Sequence, residues 1–250
     1  MATANVPLYL DWSFWALVAA AIAIALSQLP PIKLWFRRGR IDLETFSRIH
    51  ITHKIGNPNI QLHLILSNIG GRAIRVKDII VEAKRDGKKV AILPAQNYLQ
   101  NPNDTNTVLL TSFSLKPEEE WAHIVNFLNF FSREDEKKYR SAESKLRQDI
   151  IEKRKLPENI EAVVETTDEL IAPFITMFSN KFVWNPGEYE ISISAITSNA
   201  RANIVKRYRF ILFESDSTEL SKVQDDYKYG DGINWDSGKH TGVIVQITEA

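Results

Sequence analysis

The sequence predicts a protein of the α+β class dominated by β-structure, namely a β-sandwich with a helical insertion, preceded by one transmembrane helix. Three observations predict this. A long apolar run stands near the N-terminus, short segments alternating between apolar and polar residues fill most of the chain, and a charged helical pattern interrupts them at about residues 132–180. The predicted domains are an anchor with a basic juxtamembrane segment over residues 1–40 and a soluble domain over residues 41–250.

The apolar run extends from Leu8 to Leu29, and Pro30-Pro31 then stops the helix. At a rise of 1.5 Å per residue, about 22 residues span roughly 33 Å, which matches the hydrocarbon thickness of a bilayer. Aromatic residues lie at both ends of the run, Trp12 and Trp15 at one and Trp35 and Phe36 at the other, and they favour the headgroup zones. The predicted anchor residues are Trp12, Trp15, Leu17, Ile22, Leu26, Lys33, Arg37 and Arg38.

Charge predicts the orientation of this anchor. No Lys or Arg precedes the apolar run, whereas Lys33, Arg37, Arg38 and Arg40 follow it. The positive-inside rule therefore predicts an N-terminus outside the cell and a cytoplasmic C-terminal domain. A cleaved signal peptide is less favoured because no basic residue precedes the run and the two prolines make a poor cleavage site. A buried core helix is less favoured because the run is apolar on every side and is followed by a basic cluster.

Strand-like alternation begins at residue 46. Leu62, Leu64 and Leu66 face one way in the segment QLHLIL, and Ile191 and Ile193 repeat the pattern later in the chain. Asp86-Gly87 predicts a tight hairpin turn, since both residues tolerate positive φ. These signals predict antiparallel β-structure.

The turn and strand chemistry resembles that of bacterial immunoglobulin-like β-sandwich domains. Two features carry the resemblance, the strand opened by Pro186-Gly187-Glu188-Tyr189 and the Asn68-Ile69-Gly70-Gly71 turn between short strands. The resemblance covers about residues 46–128 and 182–213. It implies a two-sheet sandwich without the cysteine pair of antibody domains, because the chain has no cysteine.

Two helices are predicted within the insertion. Ser132 caps a charged run from Arg133 to Lys155, which we interpret as a solvated helix on the sandwich or, alternatively, as an arm that docks a partner. A second helix follows a capping box, Thr166-x-x-Glu169. The predicted i,i+4 ion pairs of the first helix are Glu134–Lys138, Glu136–Arg140, Glu143–Arg147 and Asp149–Lys153.

The segment of residues 225–240 concentrates acidic and aromatic side chains. Carboxylates suit Ca²⁺ or Mg²⁺ and aromatic rings suit sugars or bases, but the spacing of the acids does not match an EF-hand. We interpret the segment as a turn-rich loop pinned by its aromatic residues, with a ligand-binding loop as the alternative. The candidate ligand residues are Asp225, Asp226, Asp231, Trp235, Asp236 and His240. No catalytic residue, metal site or cofactor is predicted.

The formal net charge is zero, so no nucleic-acid partner is expected. The predicted function is that of a single-pass, membrane-anchored binding, sensor or assembly module that is not an enzyme. Its expected partners are the lipid bilayer, a protein, and a second copy through the small-residue face Ala16, Ala19, Ala20 and Ala23. The alternatives are a membrane-anchored enzyme or effector that uses residues 225–240, and an extracytoplasmic envelope-binding domain.

Overall fold

A computed structural model describes residues 12–28, 38–101, 106–156, 163–235, 238 and 242–250. Eight strands follow the first helix without an intervening helix among the described residues, and the later strands are separated by helices and turns. The strands are β1 (Ile41–Thr45), β2 (Arg48–Lys54), β3 (Asn57–Asn68), β4 (Ile74–Arg85), β5 (Lys88–Leu99), β6 (Thr107–Leu109), β7 (Phe113–Leu115), β8 (Glu120–Leu128), β9 (Gly187–Thr197), β10 (Ile204–Leu212), β11 (Val243–Gln246) and β12 (Thr248–Glu249). The helices are α1 (Trp12–Gln28), α2 (Arg133–Arg154), α3 (Asp168–Lys181), α4 (Glu214–Ser221) and α5 (Val223–Asp226), with short 3₁₀ turns at Ala200–Ala202 and Tyr227–Tyr229.

The strands form one antiparallel sheet in the order β11-β2-β3-β8-β5-β4-β9-β10-β12, with β1, β6 and β7 beside β3, β5 and β4. Strand β5 is long enough to join two halves of this sheet. Its first half pairs with β4 and its second half pairs with β8. The hairpin between β4 and β5 turns at Asp86 and Gly87, with φ of 49° and 76°, which confirms the predicted turn.

The C-terminal segment brings the two ends of the sheet together. Strand β11 pairs with β2 at one end, and β12 pairs with β10 at the other. Between them, the Ile247 amide donates to the carbonyl oxygen of Ser47 at 2.8 Å. A single short segment therefore contributes to both ends, and the sheet is nearly closed on itself.

The prediction of an immunoglobulin-like sandwich is wrong. A sandwich needs two separate sheets, whereas here β5 continues from one half to the other and the C-terminal segment links the opposite ends. The alternation of apolar and polar residues is the same in both architectures, because it reports which face of a strand is buried and not which strand lies beside it. The strand content is confirmed, and the arrangement is corrected.

The prediction of a transmembrane helix is also wrong. None of the helices in the described parts of the chain combines the length and the apolar character needed to cross a membrane. Helix α1 has 17 residues, which at 1.5 Å per residue is about 26 Å. Arg38 is described and exposed, while Lys33, Arg37 and the side chain of Leu26 lie outside the described set.

Two hydrophobic clusters hold the fold together. The first fills the inner face of the sheet, where β3 alternates strictly between buried and half-buried residues over its whole length. The second lies between α2, α3 and the turns after α4, and includes Tyr139, Phe174 and Tyr227. We call these the sheet core and the helical core.

The predicted helix α2 agrees well with the structure. The Ser132 hydroxyl accepts from the Asp135 amide at 3.1 Å, which confirms the cap. Three of the four predicted ion pairs are present, at 2.7 to 2.8 Å. Glu143 pairs instead with Arg140, at 3.2 Å.

The capping box predicted for α3 is wrong. The helix is capped by Thr167, whose side chain makes no capping hydrogen bond. The Thr166 hydroxyl instead donates to the Asp149 carboxylate on α2 at 2.8 Å, because the tertiary fold brings that carboxylate within reach. This residue therefore joins the two helices.

Candidate functional site

The segment of residues 225–240 is only partly described, and its described part is a compact turn. Asp225 is exposed at the end of α5, whereas Asp231 is 4% exposed. Asp236 and His240 lie outside the described residues. The six predicted ligand residues are therefore not seen together in one site.

Trp235 closes this turn with two hydrogen bonds inside it. Its indole N–H donates to the carbonyl oxygen of Tyr229 at 2.9 Å, and its own carbonyl accepts from the Gly232 amide at 2.8 Å. In the parts of the chain that are described, no group of three or more His, Asp or Glu residues could hold a metal ion. A ligand-binding role for this loop remains a prediction.

The turn packs on the helical core, where two tyrosines have different surroundings. The Tyr139 hydroxyl donates to the carbonyl oxygen of Ile233 at 2.6 Å. The Tyr227 side chain is fully buried, and its hydroxyl has no hydrogen-bond partner among the described residues. Burial raises the pKa of Tyr227, and the neighbouring Tyr139 raises it further. Tyr227 is therefore a neutral, buried structural group, which makes it a poor candidate for proton transfer.

The hairpin between β2 and β3 reaches under the helices and positions them. Its turn places Ile55 at φ 49° and Gly56 at φ 77°, and Ile55 is buried in the helical core. Positive φ is unusual for a β-branched residue, so the buried contacts of Ile55 hold it there. A Cβ at Gly56 would lie 2.6 Å from the Phe178 carbonyl oxygen, so only glycine fits this close approach.

His53, on the same hairpin, connects the sheet to two helices. Its Nε2 donates to the carbonyl oxygen of Leu220 at 2.7 Å, while Nδ1 accepts from the Gly56 amide at 3.2 Å. Phe178 and Phe182 lie edge-on to the ring at 5.1 and 5.6 Å between centroids. Burial lowers the pKa of His53, partly opposed by the Leu220 carbonyl. Both ring nitrogens are occupied, so His53 is a structural residue and is not available as a metal ligand.

Helices α2 and α3 line a groove of about 870 Å³. Its walls and floor are apolar in the middle, where Ala142, Leu170, Pro173 and Met177 lie. Met177 is buried and Leu170 is half-buried. The groove therefore offers an apolar strip that a ligand could cover.

Charged side chains line the edges of this groove, and some of them neutralise one another. Lys138 pairs with Glu134 at 2.7 Å, and Lys181 pairs with Asp135 at 2.7 Å. Lys181 holds the pKa of Asp135 below its ordinary value, with help from the Ser132 hydroxyl. Lys137 and Lys145 also line the groove, and neither has an ion-pair partner among the described residues.

A second depression, of about 690 Å³, lies where β10 and β11 diverge beside the C-terminal closure. The exposed apolar side chains around it are Ile211, Phe213 and Ile244, at 52%, 59% and 70% exposure. Its charged residues include Arg209, Asp216 and Glu188, which are of both signs. The depression therefore has apolar character but no clear charge preference.

Among the described elements, helix α1 is the most exposed apolar one. Trp12 is 89% exposed, Leu17 is 69% exposed and Ile22 is 55% exposed. Among its described side chains, all but the half-buried Val18 are exposed. This surface is large and apolar on every side of the helix, and such surfaces usually mark interaction sites.

Sequence reasoning missed the groove and the hairpin that supports it. The groove combines side chains from two helices that are separated along the chain, so no local motif reports it. The hairpin did leave a local signal, because Ile55-Gly56 has the glycine that two-residue turns need.

No protein-family model and no curated protein sequence matches the chain. Among solved structures, the chain is similar to a crystal structure of a protein from Archaeoglobus fulgidus, with 11% sequence identity. The match covers 69% of this chain and 91% of the other, with a TM-score of 0.27. A likeness at this level supports no conclusion about fold or function.

Proposed function

We propose that this protein is a non-enzymatic binding module that is held at a lipid bilayer by its N-terminal apolar segment. The observation that carries the proposal is the exposure of α1, whose apolar side chains stand in solvent on nearly every side. A helix that is apolar all round is stable when apolar material surrounds it. Lipid provides that environment, since burial of each Leu, Ile or Val side chain gains about 1.5–3 kcal/mol.

Basic residues after α1 support the same proposal. Lys33, Arg37, Arg38 and Arg40 follow the apolar segment in the sequence. Near an anionic leaflet each such cation contributes about 1 kcal/mol. The cytoplasmic leaflet carries most of the anionic lipid, so we place the folded body on the cytoplasmic side.

The test is flotation of the full chain with lipid vesicles. The variant Leu17→Asp/Ile22→Asp puts two carboxylates on α1 and removes two apolar side chains, each of which would gain about 1.5–3 kcal/mol on burial in lipid. We expect the variant to lose at least about 100-fold in vesicle partitioning. The unaltered chain is expected to prefer vesicles that contain anionic lipid over neutral ones.

The matched control is Ile211→Asp/Ile244→Asp, which makes the same chemical change at two exposed isoleucines of the sheet. This control is expected to float like the unaltered chain. Equal losses in both variants, or an unaltered chain that stays with the soluble fraction, would contradict the proposal.

A further inference from the structure

We propose that the groove between α2 and α3 binds an amphipathic helix of a partner protein, and that the acidic edge of this helix lies against Lys137 and Lys145. The proposal rests on the proposed function as a binding module and names the partner chemistry. Helix-in-groove recognition uses an apolar strip with charges along its edges. Both parts are present in this groove.

The groove has the dimensions of a short helix. Its lining runs from Glu134 to Lys145 along α2 and from Glu169 to Lys181 along α3. At 1.5 Å per residue, these stretches are roughly 16–18 Å long, which is about three helical turns. An occupant of about 11 or 12 helical residues would cover the apolar strip from end to end.

The free charges select an acidic partner along α2. Lys138 and Lys181 are neutralised by ion pairs with Glu134 and Asp135, so they offer little to a ligand. Lys137 and Lys145 are exposed and have no ion-pair partner in the described structure. They are eight residues apart, or about 12 Å along the helix. Two acidic residues separated by seven or eight positions on a partner helix would match this distance.

The opposite wall selects a basic residue. Glu169 is exposed at the start of α3 and has no ion-pair partner in the described structure. Pro173 follows four residues later and has no N–H, so the Glu169 carbonyl oxygen lacks its usual helical donor. A partner Arg or Lys could therefore bond to the carboxylate and the carbonyl of Glu169 together. This contact would fix the direction in which the partner helix lies.

The experiment measures binding of two designed peptides to the full chain in detergent micelles by fluorescence anisotropy. Each peptide is a 16-residue helix, a length of about four and a half turns, with a leucine strip and one Arg on the edge that faces Glu169. One peptide carries two Glu residues seven positions apart on the other edge, and the second carries two Lys residues there. We expect the acidic peptide to bind at least about tenfold more tightly.

Charge reversal provides the specific test. The variant Lys137→Glu/Lys145→Glu is expected to reverse this preference. The control Arg147→Glu/Arg154→Glu makes the same charge change on the same helix, at exposed residues that do not line the groove. The control is expected to keep the preference for the acidic peptide. Thermal unfolding followed by circular dichroism checks that both variants keep their helices.

Three outcomes would overturn the proposal. The first is equal binding of both peptides by the unaltered chain, and the second is an equal effect of the control variant. The third is self-association that only Lys137→Glu/Lys145→Glu removes, with no peptide preference, which would assign the groove to a second copy. Lipid binding is scored separately by flotation, so failure of the groove proposal is distinguishable from failure of the proposed function.

Discussion

The sheet core and the helical core are packed by different chemistry. The sheet core is built mainly from aliphatic side chains that are almost fully buried, and its large Trp184 donates to the Thr52 carbonyl at 3.0 Å. The helical core is richer in aromatic rings, and it includes Tyr139, Phe174, Phe178 and Tyr227. The Tyr227 hydroxyl in this core is buried and has no hydrogen-bond partner among the described residues, and such unpaired polar atoms cost free energy. The helical core is therefore held by aromatic contacts between separate helices and turns, and it carries the groove.

The two cores meet at the hairpin between β2 and β3. Ile55 belongs to the helical core although it lies on a turn of the sheet, and His53 contacts α3 and the end of α4. The helices around the helical core are thus attached by a few specific contacts to the sheet, whereas the sheet is stabilised throughout its length. The following predictions test this difference, in order of decreasing expected effect.

The largest effect is expected from Trp184→Ala in the sheet core. The side chain is fully buried, and its removal leaves a cavity and an unpaired Thr52 carbonyl. We expect the free energy of unfolding to fall by about 3–5 kcal/mol. Urea unfolding followed by circular dichroism measures this change. Trp235→Ala is the control, because Trp235 is 44% exposed and should cost about 1 kcal/mol. Equal losses of unfolding free energy in Trp184→Ala and Trp235→Ala would contradict the idea that the sheet core contributes most of the stability.

An intermediate effect is expected from Tyr139→Phe in the helical core. This variant removes the hydroxyl that donates to the Ile233 carbonyl at 2.6 Å and leaves that carbonyl without its donor. We expect a loss of about 1–2 kcal/mol in the free energy of unfolding. Hydrogen exchange of the amides in α2 and α3 would show whether the loss is confined to the helical layer. An unchanged free energy of unfolding would show that this hydrogen bond does not contribute to stability.

The companion variant Tyr227→Phe should change the free energy of unfolding in the opposite direction. It removes a buried hydroxyl that has no partner in the described structure. We expect unchanged stability or a gain of up to about 1 kcal/mol, because the desolvation cost of the hydroxyl disappears. The same urea titration measures it. A loss as large as that of Tyr139→Phe would show that the hydroxyl has a partner after all, such as a buried water.

The smallest effect is expected in the pH dependence that comes from His53. Burial lowers the pKa of His53 in the folded protein, while the unfolded chain has the ordinary value of about 6.5. Below about pH 6.5 the unfolded state therefore binds more protons, and stability decreases as the pH falls towards the folded pKa. Urea unfolding measured across this pH range should show that the free energy of unfolding depends less steeply on pH in His53→Gln. Burial also lowers the pKa of His50, so some dependence should remain. An identical slope of unfolding free energy against pH in His53→Gln and the unaltered chain would contradict this contribution of His53.

Local features of the fold are predictable from the sequence where neighbouring residues decide them. The Asp86-Gly87 turn follows from the tolerance of these two residues for positive φ, and the Ser132 cap follows from a hydroxyl placed before a charged helix. The capping box at Thr166 fails for the opposite reason, because a carboxylate on another helix competes for the hydroxyl. The groove lies beyond local prediction altogether, since its walls come from different helices.

The sequence by itself determined the strand-rich character of this protein, the positions of its main turns and the charged surface of α2, because each depends on residues within a few positions of one another. Only the tertiary structure decided that β5 joins two halves of one sheet, that the C-terminal segment nearly closes it, and that α2 and α3 leave a groove between them. The described residues of α1 form a 17-residue helix, and none of the described helices is long and apolar enough to cross a membrane. Strand partners and helix packing are chosen by shape and burial across the whole chain, and periodicity along the chain reports only which face of each element is buried.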